Sequence, residues 1–419
     1  MHPQIVEFVT AAHSDVALVE LRAALQDSGG PLQRELTNGM TEVTFVWIGE
    51  ADSVSLQCGL ASHDGRAVPM QRLAQTAVWV LVVESPTDAL VTYRFVLDDP
   101  FLSAGQLDDS GWQRVMLQAQ QQSFADPHNP QLIRPLAVLF GLQPDVTQWE
   151  SILGLVDAVP APWFQPHHCS PGALDTFDLS SIALGDVRQT TVYLPPDYER
   201  SDARHPLVVL LDGPSWLTIA ELPAALDAAI AERLISSPVV AFVHEPHGST
   251  GLAHRVHELS CNPAHARMLL DELLPELRAR YHVDHSPGAT VLGGASLGGL
   301  AAAFTAMEQP GVIGNVLSIS GSFWYGVERD GEPEWVARRL ATEPAQGFRL
   351  YQQIGRLEDA PLALSPGVSH LVANRHLRDV ALAKGHDVIY EELTTAHDLA
   401  AFRVAALRGL AALLPGEAS

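Results

Sequence analysis

Between residues 41 and 98 the chain runs in short bursts of β-branched and aromatic residues, at 43–47, 77–83 and 90–97, divided by polar turns carrying Gly and Asp. Runs of this length and spacing predict antiparallel strands arranged as an Ig-like β-sandwich. Ahead of them, residues 14–25 carry a helical pattern. It stops at Ser28-Gly29-Gly30-Pro31, two glycines and a proline. From about residue 120 to 176 the pattern fades into proline-marked chain, including Asp126-Pro127-His128-Asn129-Pro130, residues 135–144 and Pro160-Ala161-Pro162. An irregular connector is expected there.

Beyond the connector, strands and helices alternate. Apolar runs predict strands at 189–194, 206–211, 238–243, 290–292, 314–320, 349–354 and 388–393. Helical periodicity fits 218–234, 263–281, 297–309, 366–384 and 398–414. Such alternation builds a mostly parallel sheet with helices on both faces. The expected organisation is α/β: a β-sandwich domain with an irregular tail over 1–150, a connector over 151–175, and a catalytic α/β domain over 176–419.

Composition narrows the class. With 419 residues, 47% hydrophobic and 18% charged, the chain can fill more than one core and is not disordered. Lys plus Arg is 25 and Asp plus Glu is 49, a net charge of −24. That surface repels nucleic acid and anionic membranes, so neither is an expected partner, and solubility accounts for most of it. An anionic substrate would need a few local cations. No apolar run is long enough to cross a bilayer, residues 1–31 lack the pattern of a secretion signal, and Cys58, Cys169 and Cys261 make no disulfide framework. A cytoplasmic protein is expected. His167-His168-Cys169 and His282-x-x-His285 have ligand-like spacing but no second pair, so no metal site is expected.

The strongest chemical signal is the stretch from Thr290 to Leu300. An apolar strand runs into Gly294-x-Ser296-x-Gly298 and then into an Ala-rich helix. This is the pattern of a nucleophile elbow, in which a strained turn lifts the serine hydroxyl clear of an α/β-hydrolase sheet. The helix N-terminus behind it favours developing negative charge, and the N–H of Leu297 can serve as one oxyanion donor. The hydroxyl needs a base and the base an orienting acid, in the chain order Ser, acid, His. Of the later histidines, His370 and His376 fall in a predicted helix and His386 punctuates a turn. His397 stands between the last strand and the last helix, the expected loop. The acid follows strand 349–354, where Glu358 and Asp359 are adjacent choices.

Five strings extend the match: residues 210–216 around Asp212-Gly213, Arg255-x-x-Glu258-Leu259-x-Cys261-Asn262, the 293–299 elbow, Ser320-Gly321-Ser322-Phe323-Trp324-Tyr325, and Ala396-His397-Asp398. With 43–50 and 126–130 they make the chain resemble the enterochelin esterase family over nearly its whole length. Those proteins are cytoplasmic hydrolases of ferric trilactone siderophores, with a β-sandwich ahead of an esterase-D-like domain. The resemblance implies Ser296 as nucleophile, His397 as base and, through Gly355-x-x-Glu358, Glu358 as acid. It implies hydrolysis of ester bonds in a catechol-bearing cyclic trilactone with no cofactor, iron entering only as part of the substrate.

Two positions depart from the family. Thr395-Ala396 stand where relatives carry a glycine pair. Pro214, which has no N–H, stands where the second oxyanion donor is usual, so either the donor comes from Gly213, Ser215 or Trp216 or the hole is weaker. Arg255 is expected to face an anionic ferric catecholate or else to pair with Glu258. Trp216 and Trp324 are expected to stack on catechol rings or else to be core. A general aryl or acyl esterase of the same fold, and a siderophore-binding relative without activity, are the competing readings.

Overall fold

The computed structural model describes residues 2–11, 15–64, 66–74, 76–102, 104, 109–135, 145–165, 167–200, 204–245, 251–344, 347–361 and 367–416. Residues 136–144 of the proline-marked stretch, and residues 14 and 366 at the starts of two predicted helices, lie outside these. The chain divides into two compact units, one of residues 1–159 with 393–400 and the other of 160–392 with 401–419.

The continuous apolar runs of the second unit become strands buried on both faces. Its sheet comprises β1 (Ala173–Ser181), β2 (Asp186–Leu194), β3 (Leu207–Leu210), β4 (Val239–Val243), β5 (Thr290–Ala295), β6 (Asn315–Ile319), β7 (Arg349–Gly355) and β8 (Val388–Leu393). Their order across the sheet is β1-β2-β4-β3-β5-β6-β7-β8. The pairs β1/β2 and β2/β4 are antiparallel, and β4/β3, β3/β5, β5/β6 and β6/β7 are parallel. Every residue of β3 to β6 is buried, as a doubly covered parallel sheet requires.

Helix Leu297–Glu308 packs on β5 and β6 and is buried along nearly its whole length. Its small residues, Gly298, Gly299 and Ala301 to Ala303, let it approach the sheet closely, and Leu300 is fully buried against it. Truncating Leu300 to Ala would cost about 2–5 kcal/mol. The predicted helix 263–281 is continuous over Pro263–Arg267, Met268–Leu273 and Leu274–Arg280, with π turns in the middle stretch.

Strand β1 and helices Gly251–Leu259 and Trp335–Thr342 are elements that the sequence pattern did not predict. Strand β1 is an edge strand exposed over its first four residues and alternates only in its second half, so it offers no apolar run.

The first unit opens with helices Pro3–Thr10 and Asp15–Ser28, whose Ile5, Phe8, Leu21 and Leu25 pack with Leu32, Val46 and Val80. Its strands form two antiparallel sheets. One runs Leu32–Glu35, Met40–Ile48, Val78–Pro86, Gln71–Arg72, and the other Val68–Pro69, Val54–Cys58, Leu90–Leu97, Glu150–Gly154, Leu132–Ile133. Rings from the two sheets touch: Phe45 meets Tyr93 at 5.0 Å between centroids and Trp47 meets Phe95 at 5.3 Å.

The motif from Asp126 to Pro130 is not a loose surface connector. Tyr93 donates to Asp126 Oδ2 at 2.8 Å, and Asn129 Nδ2 donates to the Ile152 carbonyl at 2.8 Å, all buried. Polar groups sealed this way must be paired, which fixes the chain as firmly as apolar packing would.

Candidate active site

Ser296 stands between β5 and helix Leu297–Glu308 with φ 58° and ψ −122°. A non-glycine residue held at positive φ is strained, and the surrounding bonds impose it. The Ser296 N–H donates to the Ile319 carbonyl at 2.9 Å, and the Ser296 carbonyl accepts from the Ser322 N–H at 3.0 Å. The glycines explain why the turn can form. A Cβ on Gly294 would lie 2.9 Å from Gly298 Cα, and one on Gly298 would lie 3.1 Å from Asp212 Oδ2. Leu297 is the first helical residue, so its N–H has no intrahelical acceptor. The Ser296 Oγ is 3.2 Å from Ser322 Oγ, a neighbour that the sequence reading did not single out.

After β3 the chain turns through Asp212, at φ 63°, into Gly213 and Pro214. The Ser215 N–H is committed to the Asp212 carbonyl at 2.9 Å, which removes one of the oxyanion donors considered above. Arg255 grips the Asp212 carboxylate with Nε and with Nη2, the latter at 2.8 Å. It pairs neither with Glu258, which Arg188 holds instead, nor does it line the cavity beside Ser296. Trp216 is buried and donates to the Leu211 carbonyl at 2.8 Å, so its ring belongs to the core behind the turn.

Glu245 Oε1 accepts the Asp212 N–H at 2.8 Å. Burial first, and then the charge of Asp212, push the Glu245 carboxyl from its ordinary 4.5 up to about 8. The folded state therefore holds a proton that the unfolded state releases across that window, and folding loses stability as pH rises through it. Glu245→Gln keeps an acceptor for the Asp212 N–H but cannot ionise. Thermal melts should show the wild type losing stability between pH 5 and 8 more steeply than Glu245→Gln.

Glu358 follows β7 and is buried, whereas Asp359 beside it is exposed. Its Oε1 accepts from Ser320 Oγ at 2.6 Å and from the Gly355 N–H at 3.0 Å. His370 opens helix His370–Ala383, with its Nδ1 3.9 Å from Glu358 Oε2 and its Nε2 accepting from Trp324 Nε1 at 3.0 Å. His397 is exposed, in the segment after β8. The structure thus brings His370 to the carboxylate, a residue that its helical setting sets aside in the sequence.

An imidazole beside a carboxylate can also serve a divalent cation, yet the hydrogen bonding opposes one. Because Trp324 donates to Nε2, the neutral His370 ring carries its proton on Nδ1, the nitrogen turned to Glu358. A metal at Nδ1 would need that proton moved to Nε2, against the indole N–H. His282 and His285 are exposed, and Arg204 approaches His285 Nε2 at 3.3 Å. Among the described residues neither they nor His167, His168 and Cys169 form a group of three ligands.

Ser296 opens on a cavity of about 940 Å³. Leu297, Ser322 and Trp324 line it beside the serine, and residues 256–258 and 260–264 form part of its wall. A serine hydroxyl at a helix N-terminus, beside a cavity of this size, is placed where a nucleophile for the acyl carbon of a drug-sized ester would stand.

The Esterase family model, described as "Putative esterase", matches residues 181–413. The iron(III) salmochelin esterase of Escherichia coli CFT073 is 31% identical over 397 residues, covering 89% of this chain and 87% of that protein. The iron(III) enterobactin esterase of the same strain is 26% identical over 411 residues, covering 92% and 94%. Among solved structures, the ferric enterobactin esterase of Salmonella typhimurium superposes with a TM-score of 0.76 at 26% identity, covering 94% of this chain and 98% of that one. The enterobactin esterase of Shigella flexneri, at 23% identity and TM-score 0.74 over 96% and 98%, shares the fold.

Proposed function

This chain belongs to the Esterase family, and from that premise we propose that it hydrolyses ester bonds of a catecholate trilactone siderophore of the enterobactin or salmochelin kind. The observation that carries this reading is the span of the likeness. Two siderophore esterases match about nine-tenths of the chain, first unit included, where a plain esterase would need only residues 181–413. In this reading the first unit is a β-sandwich domain, supported by its two antiparallel sheets and their touching rings.

Ser296 Oγ attacks the ester carbonyl while His397 takes its proton, and Glu358 orients and balances the imidazolium. The N–H groups of Leu297 and Gly213 receive the oxyanion. His397 then returns the proton to the departing alcohol of the substrate, and water cleaves the acyl-enzyme by the same route. The residues supply all the chemistry without a cofactor, and iron is carried by the substrate. Opening the ring weakens the chelate, which serves iron release in the cytoplasm.

Chromatography of a trilactone incubated with the protein tests the reading. Ring-opened linear esters are expected, at higher kcat/KM than a simple aryl ester. Faster turnover of the aryl ester would make the chain a general esterase, and turnover of neither would leave a binding protein. The acid has its own test. Glu358→Gln is expected to lower kcat about ten-thousandfold, the scale of losing an orienting carboxylate, and Asp359→Asn by less than tenfold. Equal losses in steady-state assays would remove Glu358 from the role.

A further inference from the structure

Several arginines of the second unit are already tied to carboxylates. Arg188 holds Asp186 and Glu258, Arg255 holds Asp212, Arg338 holds Asp330, and Arg339 bridges Glu308 and Glu343. Arg329 differs. It lines the cavity that Ser296 opens on, and it forms no ion pair among the described residues. Its Nη1 donates to the Cys261 carbonyl at 2.9 Å, and its guanidinium carbon lies 4.0 Å over the Trp335 ring. A carbonyl and an aromatic face thus hold the group in one orientation, with N–H donors to spare.

Charge gives this placement its meaning. Among the described residues Arg329 is the single Lys or Arg that lines the cavity, in a chain of net charge −24. Three doubly deprotonated catechols around a trivalent metal make a trianion, which the protein's long-range field repels. Such a ligand must be held by short charge-assisted contacts from a cation already in place. Resting on the siderophore-esterase reading above, we propose that Arg329 is the specificity-determining contact for the anionic catecholate, in the role expected of Arg255.

The test measures binding without turnover. In a Ser296→Ala background, tryptophan fluorescence is titrated with gallium-loaded trilactone, which keeps the charge of the ferric complex, and with the metal-free trilactone. Adding Arg329→Gln should weaken the loaded form about tenfold to a hundredfold, the scale of a lost charge-assisted hydrogen bond. The metal-free form should lose no more than about a third as much on a logarithmic scale. Glu328→Gln, which removes a charge beside the arginine at an exposed position of the cavity wall, should tighten the loaded form about twofold to fivefold. Equal losses for both forms in Arg329→Gln, or no loss in either, would overturn the assignment. If that variant does not fold, an unchanged or weaker loaded complex in Glu328→Gln overturns it. Failure of the parent to bind either form would sink the siderophore reading itself, a result separable from the others.

Discussion

Ser296→Ala is expected to lower ester hydrolysis about a million-fold while leaving the melting temperature within about two degrees of the parent. The size follows from the unit character of a nucleophile and its base: without the hydroxyl no acyl-enzyme forms, and only residual transition-state binding remains. Stability should survive because Ala occupies φ 58° as Ser does, and because the bonds that fix the turn are made by the backbone of residue 296. The side chain's described partner is Ser322 Oγ, itself buried and held in place through its own N–H. Steady-state kinetics and a thermal melt on the same preparation check both halves. Substantial remaining turnover would point to another nucleophile.

The second large effect separates the two histidines. A general base needs a ring nitrogen with a free lone pair directed at the serine, and the other nitrogen protonated toward the acid. His370 Nε2 already accepts the Trp324 indole N–H at 3.0 Å, so that lone pair is spent. His397 is exposed, in the segment between the last strand and the last helix. His397→Ala should therefore lose about as much kcat as Ser296→Ala. His370→Asn should lose about tenfold to a hundredfold, the scale of removing a supporting partner around Glu358. A larger loss at residue 370 than at 397 would exchange their roles.

Much of the hydrolase sheet could be read from the chain because its central strands are buried on both faces, and burial demands continuous apolar runs. Residues 207–210, 239–243 and 290–295 are such runs, and the elbow follows the last of them. Strand β1 escaped the same reading for the opposite reason: as an edge strand it shows water its first four residues.

Partnerships across the fold were harder. Arg255 finds Asp212, forty-three positions away, and leaves Glu258, three positions away, to Arg188. Local spacing favours near neighbours, but the turn after β3 and the buried Arg188 decide otherwise. His370 was hidden by its helix. As the first residue of that helix it lies at the end of β7 near Glu358, a place that periodicity cannot distinguish from a helix interior. Ser320, Ser322 and Trp324 stood in a recognised string, yet their hydrogen-bond partners, Glu358, Ser296 and His370, came only from tertiary structure.

We propose Ser296 as the activated nucleophile of an esterase. Incubation with a fluorophosphonate, proteolysis and mass spectrometry test it most directly, since only a serine activated by its own base reacts quickly. One phosphonyl adduct is expected, on the peptide carrying Ser296, formed at least about a hundredfold more slowly in His397→Ala. An adduct on another serine, or none under conditions that label a control serine hydrolase, would contradict it.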